Sequence, residues 1–348
     1  MILVVNAGSS SVKVALYDAG LTRLVSGAVT EIGGTGQLTL GDDISQISAQ
    51  THTAALNALL AGLDTGDLTA AAHRIVHGGA DLTAPARATP DIIAQITACN
   101  RLAPLHNPHN LAGIAAIATA PPDLPQYVSF DTAFHATNSA LATTYALPEA
   151  ERAKGIRRYG FHGLSYQSLV QSFGKALPDR LLALHLGNGA SLCAIKGGKS
   201  VASSMGYSPL DGLVMGTRTG AIDGMAVLRL AEDHGIAQAG KILNSHSGLL
   251  ALGGTSNMAA LLATDSDEAR FAVDHFCYWA ARQAGSAIVA MGGLDAVAFT
   301  GGIGENAGEI RARIMDHLAF LGNVPVHVIA ADEEQQIARD ALSLMAQD

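Results

Sequence analysis

Several short segments of this sequence combine side chains that can bind or transfer an anion. Asn6-Ala7-Gly8-Ser9-Ser10-Ser11-Val12-Lys13 offers backbone N–H groups, hydroxyls and one ammonium. Small residues let a backbone approach a phosphate closely, and lysine adds a point charge; a Ser-rich turn with a surface lysine has the same signature. His185-Leu186-Gly187-Asn188-Gly189-Ala190-Ser191 could hold a second phosphate in the same way, although Asn-Gly is also the commonest plain hairpin turn. In His73-Arg74-Ile75-Val76-His77-Gly78-Gly79, Ile-Val before Gly-Gly reads as a strand ending in a turn. Arg74 and Val76 then share a face, so that a charged head and an apolar wall could line one cleft. A strand-end arginine paired with a carboxylate fits these residues equally well.

Leu102-Ala103-Pro104-Leu105-His106-Asn107-Pro108-His109-Asn110 precedes an apolar helix, with Asn107 expected as N-cap and Pro108 at the first helical position. Helix initiation does not account for His106. Asp131 follows the apolar run ending at Phe130, where ligands collect in α/β folds, or else caps a helix. Arg157-Arg158-Tyr159-Gly160-Phe161-His162-Gly163 and Met215-Gly216-Thr217-Arg218-Thr219-Gly220 are further basic islands. A guanidinium among Gly and Thr suits a tight anion site. Phe299-Thr300-Gly301-Gly302-Ile303-Gly304-Glu305-Asn306-Ala307 is a strand, a Gly turn and a helix start. It also satisfies G-x-G-x-x-A, but too little chain follows Asp332 to complete a dinucleotide-binding domain. A P-loop is excluded, because Gly198-Lys199-Ser200 has Cys193 where the first glycine belongs; an H-E-x-x-H zinc site lacks its helix and Glu around His73 and His77.

These segments need elements to hold them. Ile2–Val5 and Val12–Tyr17 read as a hairpin, and Leu181–Leu186 with Ala190–Ile195 as a second one half a chain later, which suggests duplicated domains. Helices are expected over 52–62, 90–102, 109–119, 164–177, near 224–234, over 266–291 and from Asp332 to Met345. Further strands are expected at Arg74–Val76, Tyr127–Phe130, Ala296–Thr300 and Val326–Ile329, with a turn over Pro121–Pro125. The pattern is α/β. The 348 residues suffice for two domains, and 49% apolar against 15% charged residues marks a compact globular chain. A net charge of −9 without a Lys/Arg run argues against nucleic acid or an anionic membrane as partner. The N-terminus reads as a strand rather than a signal peptide, and 285–304 as a helix end, a turn and a strand rather than a membrane span. Cys99, Cys193 and Cys277 are scattered, which fits the cytoplasm and neither a disulfide framework nor structural zinc.

In order along the chain, NAGSSSVK (6–13), HRIVHGG (73–79), APLHNPHN (103–110), FDTAFH (130–135), RRYGFHG (157–163), HLGNGAS (185–191), GYSPLDGLVMGTRTG (206–220) and FTGGIGEN (299–306) resemble the acetokinase family of acetate and propionate kinases. The resemblance spans nearly the whole chain. It implies two duplicated ribonuclease H-like α/β domains of the actin/sugar kinase/Hsp70 superfamily with a cleft between them. The first would be 1–140 plus about 330–348, on the acyl and phosphate side, and the second 141–329, on the nucleotide side. It further implies a cytoplasmic homodimer that transfers a phosphoryl group reversibly between ATP and acetate with Mg²⁺, giving ADP and acetyl phosphate.

Carried onto this chain, the resemblance makes Arg74 the holder of the carboxylate. Arg218 and His162 would neutralise the phosphoryl group in flight, with Asp131 as an organising carboxylate. Val76, Leu105, His106, Phe161 and Pro209 would line the acyl site. Ser9, Ser11 and Lys13 would meet phosphate, and His185, Gly187, Asn188 and Gly189 the nucleotide phosphates. Gly302, Ile303, Gly304, Glu305 and Asn306 would face the adenosine end, and Asn6 and Glu333 would support Mg²⁺. The chain departs from the family at Ser256-Asn257-Met258-Ala259-Ala260, where an Asp and an Arg are expected near the nucleoside. That departure raises the alternative of pyrophosphate or another donor, and propionate is the alternative acid. A nucleotide-binding actin-like protein without transfer activity and a His-rich metal-dependent hydrolase are the competing classes, and the joint presence of Arg74 and Arg218 argues against both.

Overall fold

Ile2–Ala7 (β1) is buried at every position, as a central strand covered on both faces must be. The computed structural model describes residues 1–8, 10–118 and 123–347, so Ser9 and the Pro121-Pro122 part of the expected turn lie outside the described residues. The chain forms two compact units, Met1–Phe134 with Asp332–Asp348, and His135–Ala331.

In the first unit β1 is joined by Val12–Tyr17 (β2), Arg23–Val29 (β3), Gly36–Leu40 (β4), Asp43–Ile47 (β5), Ala70–Ile75 (β6), Ala86–Arg87 (β7) and Gln126–Phe130 (β8). Their order across the sheet is β5-β4-β3-β2-β1-β6-β8-β7. Strands β1 to β5 pair antiparallel, whereas β1, β6 and β8 run parallel. Register decides the chemistry here. Val5 lies opposite His73, and Ile75 opposite Phe130. Asn6, Arg74 and Asp131 therefore come together at the carboxyl ends of three adjacent strands.

Three helices, His52–Ala61 (α1), Pro90–Ala98 (α2) and Asn107–Ile117 (α3), and a C-terminal helix, Glu333–Met345, cover this sheet. Thr51, Thr89 and Asp332 cap α1, α2 and the C-terminal helix by accepting from Ala54, Ile92 and Gln335 N–H. Asn107 is not the N-cap that its spacing suggests: His106 holds that position and Asn107 is already helical. Its carboxamide instead accepts from His77 N–H at 3.1 Å and donates to His77 O at 2.9 Å. One turn later, Asn110 accepts from Val76 N–H and donates to Ala7 O. Two buried side chains on one helix face thus tie the ends of β1 and β6 together.

The second unit repeats the arrangement. Arg180–Leu186 (β9), Ala190–Lys196 (β10), Lys199–Ser203 (β11), Ala296–Thr300 (β12) and Val326–Val328 (β13) lie in the order β11-β10-β9-β12-β13. This matches β3-β2-β1-β6-β8 strand for strand in order and direction, which establishes the duplicated fold expected from the two hairpins. The helices are Ala140–Thr143 (α4), Glu149–Arg152 (α5), Gly163–Phe173 (α6), Gly224–His234 (α7), Ile236–Ser245 (α8), Gly248–Gly253 (α9), Met258–Ala263 (α10), Asp267–Met291 (α11), Gly301–Asn306 (α12) and Gly308–His317 (α13). Ten residues of α11, including Phe276, Cys277 and Met291, are buried. No helix among the described residues is long and apolar enough to cross a membrane.

His73, His77 and His135 are buried, and burial pushes each imidazole down to about 4; bonds to Gln126 and to Phe161 O oppose this for His73 and His135. In the unfolded chain they titrate near 6.5. Their contribution is complete above pH 6.5 and is lost as pH falls toward 4, because the unfolded chain then binds protons that the folded one refuses. The slope reaches about 1.4 kcal/mol per pH unit for each histidine. Urea melts between pH 7.5 and 4.5 should show this loss, with a shallower slope in His73→Asn; identical slopes would contradict it.

Candidate active site

In the first unit the buried strand ends carry one cation and its partners. Arg74 donates from Nε and Nη2 to the two Asp131 oxygens at 2.9 and 2.6 Å, and from Nη1 to Asn6 Oδ1 at 3.1 Å. These bonds use three of the five N–H donors of a guanidinium and leave two for an anion. The Arg74 side chain is 18% exposed and that of Asp131 is 2% exposed. Burial works against the Arg74 charge, yet Asp131, with Glu333 and Glu334 adding, holds it above the ordinary guanidinium value. Asp131 accordingly orients Arg74 rather than standing as an isolated base.

Asn6 Nδ2 donates to Glu334 Oε1 at 3.0 Å. Sequence reading missed Glu334, although its place beside Glu333 at the start of the C-terminal helix was a usable signal. Burial foremost, and Glu334 next to it, pushes the Glu333 carboxyl up, against the opposing pull of Arg74 and Lys13. Lys13 stands directly across from Asn6 on β2. Asn6 and Glu333 suit a hard divalent cation, being oxygen donors with a carboxyl whose ionised form a positive charge would favour. Among the described residues no three His, Cys, Asp or Glu side chains cluster as a metal cage would need. Val76 is buried just beyond β6, and Leu105 is 57% exposed.

In the second unit the β9–β10 tip gathers the other expected residues. A Cβ on Gly189 would lie 3.2 Å from His162 Nε2 and 3.8 Å from Arg218 Nη1, so only glycine leaves the imidazole and the guanidinium this close to the backbone. Asn188 O accepts from Gly216 N–H at 3.0 Å, and its carboxamide oxygen would overlap any Cβ on Gly216. Arg218 Nη1 donates to Pro209 O at 2.9 Å, which fixes the guanidinium on its own loop. His162 caps α6 in the left-handed region at φ 58° and ψ 23°, a sparsely populated conformation for a non-glycine residue. Its ring stacks on His185 with centroids 4.3 Å apart.

A polar relay that sequence reading missed reaches the His162 ring. Burial holds the Tyr166 phenol well above its ordinary value, and it meets Ser191 Oγ at 2.5 Å. Ser191 Oγ in turn meets His162 Nδ1 at 2.8 Å. In the neutral tautomer whose Nδ1 accepts from Ser191, the imidazole proton sits on Nε2, the nitrogen beside Gly189 and Arg218. Ser165 pairs with His185 Nδ1 at 2.8 Å in the same layer. In the segment 302–306 the side chains of Glu305 and Asn306 bond backbone. Glu305 Oε1 accepts from Gly301 and Ala331 N–H, both at 2.9 Å, and Asn306 Nδ2 donates to Gly302 O. These bonds turn both side chains to backbone of their own unit. The Gly302 backbone nevertheless lies beside the tip, 3.9 Å from where a Gly187 Cβ would be. Phe161 is buried, and its carbonyl bonds the His135 ring.

Comparison with known proteins follows this geometry. The model of the family described as Acetokinase family matches residues 1–342. An acetate kinase from Nitrobacter hamburgensis is 41% identical over 387 aligned residues, covering 99% of this chain and 96% of that protein. Among solved structures, a propionate kinase from Francisella tularensis matches with a TM-score of 0.93 at 34% identity, covering 97% and 98% of the two chains. Porphyromonas gingivalis acetate kinase matches with a TM-score of 0.90 at 33% identity, covering 99% of each.

The Arg74–Asp131 pair makes a test of its own. Asp131→Asn keeps the volume but strips a buried guanidinium of its counter-charge, and should lower unfolding stability by about 3 kcal/mol. The double variant Arg74→Met/Asp131→Leu should recover most of that loss, because no uncompensated charge remains. Chemical denaturation of the three proteins checks it; strictly additive losses would show that the two residues act independently.

Proposed function

Because the chain belongs to the acetokinase family, we propose that it is an acetate kinase, transferring a phosphoryl group reversibly between ATP and acetate. The observation that carries this reading is the pair of cationic sites, one in each unit. Arg74 is pre-oriented by Asp131 with two N–H groups still to give, and Arg218 and His162 are pre-oriented over a glycine tip. In the transfer, an acetate oxygen forms a bond to the terminal phosphorus of ATP as the bond to the bridging oxygen of ADP breaks, so no proton need move. A carboxylate is already a competent nucleophile at neutral pH, and positioning and charge neutralisation supply the catalysis.

Arg74 holds the carboxylate in this reading, and Asp131 keeps its guanidinium from turning. His162 donates from Nε2, and Arg218 from its guanidinium, to the equatorial oxygens of the phosphoryl group. The Ser11 and Lys13 turn and the His185–Gly189 tip take the phosphates of the nucleotide. Ser9 shares the Ser11 role by its place in sequence. Mg²⁺, held by Asn6 and Glu333 together with substrate phosphates, would offset charge on those phosphates when bound. Val76 leaves less room than a smaller residue would for a longer acyl chain, which favours acetate over propionate.

A cytoplasmic homodimer completes the proposal. Its support is the three free thiols and an uncovered apolar face. On α7 no residue is buried, and Met225 and Leu228, three positions apart, are 71% and 55% exposed.

Purified protein given Mg²⁺, ATP, acetate and hydroxylamine should form acetohydroxamate, and propionate should react with kcat/KM about 10- to 200-fold lower. Arg218→Ala should lose about a hundredfold or more in kcat. No hydroxamate with any acid would overturn the reading. Light scattering should give twice the chain mass for the wild type and a monomer for Leu228→Glu; an unchanged dimer would remove α7 from the interface.

A further inference from the structure

In the turn between β1 and β2, the carbonyl oxygens of Gly8, Ser10 and Ser11 each take a separate donor. Gly8 N–H donates to Ser11 O at 2.8 Å, and Ile32 N–H donates to Ser10 O at 3.1 Å. The third donor is a side chain: His52 Nε2, at the start of α1, donates to Gly8 O at 2.7 Å across 44 positions of sequence. A turn that is to receive an anion must present N–H groups to it and keep its carbonyls turned away, because a carbonyl dipole facing a phosphate repels it. Two of these anchors are backbone pairs that many sequences could supply. The His52 anchor depends on one residue type.

That ring is itself held in place. His52 stacks on His109 with centroids 3.9 Å apart and planes 16° from parallel. The helix that carries His109 is fastened through Asn110 to Ala7 O, the residue before Gly8. Burial first, and the neighbouring His52 second, push the His109 imidazole below its ordinary value, so this ring stays neutral at neutral pH and does not repel its neighbour. A hydrogen on His52 Nε2 is available in the matching neutral tautomer and in the imidazolium alike.

We infer that His52 is a positioning residue for the phosphoryl substrate: it holds the Gly8 carbonyl toward α1 so that Ser10 and Ser11 present their N–H groups and hydroxyls to phosphate, and His109 holds His52. This rests on the proposed kinase reading of the turn. Neither histidine meets the reacting atoms, so the effect belongs in substrate affinity rather than in the rate of transfer.

Three variants of the full-length protein test it by steady-state kinetics, with melting temperatures measured alongside. His52→Phe keeps a ring to stack on His109 but has no donor, and should raise KM for ATP and for acetyl phosphate about five- to tenfold, as expected for one lost hydrogen bond. Its KM for acetate and its kcat should stay within about twofold. His52→Gln restores a donor and should recover most of the affinity. His109→Ala should give a smaller rise with the same split. Unchanged KM for ATP in His52→Phe, an equal rise for acetate, or no recovery in His52→Gln would overturn the inference. Should His52→Phe not fold, the partly exposed His109→Ala reads the same split, and an unchanged KM for ATP there overturns it. Wild-type protein that forms no acyl phosphate would instead overturn the kinase reading.

Discussion

A guanidinium drawn into the interior of an acidic protein is the constraint on which the first unit depends. Taking Arg74 out of water costs several kcal/mol unless a carboxylate repays it in good geometry. Asp131 does so with two parallel bonds, and Asn6 takes a third. The pair can form only if β1, β6 and β8 end level with one another. The register places Val5 by His73 and Ile75 by Phe130, and Asn107 and Asn110 tie the ends of β1 and β6. Core packing, strand register and charge placement are thus one requirement. The two N–H groups left over on Arg74 are what such a cluster offers an anionic substrate.

The second unit builds on the same five-strand order and reaches a different solution. Where the first hairpin turn carries serines and the strand after it a lysine, the second carries Gly-Asn-Gly, and the imidazole and guanidinium come from outside the hairpin. His162 enters from a helix cap held in a left-handed conformation, and Arg218 from a loop whose own Pro209 carbonyl restrains it. Glycine at 189 and 216 is what permits the close approach. One duplicated scaffold therefore presents hydroxyls and an ammonium on one tip, and bare backbone beneath imidazole and guanidinium on the other. That division suits a reaction between two anions, in which each must be bound and the charge passing between them must be countered.

Much of this was legible in residue order. The hairpins at Ile2–Tyr17 and Leu181–Ile195 announce themselves as apolar runs broken by small polar turns, and the structure keeps both. Strands β3 to β5 were not legible. Asp43–Ile47 is almost wholly exposed, and these strands exist because β2 offers an edge to pair with rather than because of any apolar pattern. Asn107 misled for a related reason: its spacing before Pro108 matches a cap, but a buried backbone pair at His77 competes for its carboxamide and wins. Residue order does not show that Glu305 accepts from Gly301 and Ala331 N–H, or that Asn306 donates to Gly302 O, because those backbone groups become available only once the turn and the strand end are in place.

Residue types and their spacing along the chain determine that this is a duplicated α/β protein, that it handles anions, and which short segments do so. Local propensity and hydrophobic periodicity act over a few residues, and those properties follow from nothing longer. Partnership is different in kind. That Asp131 belongs to Arg74, that Glu334 rather than Glu333 bonds Asn6, that Ser191 joins Tyr166 to the His162 ring, and that His52 reaches back to Gly8 are all decided by strand register and helix docking. Hydrogen bonds of this kind join residues far apart in the chain and are directional to within a fraction of an ångström. Only a folded backbone can bring such groups to that precision.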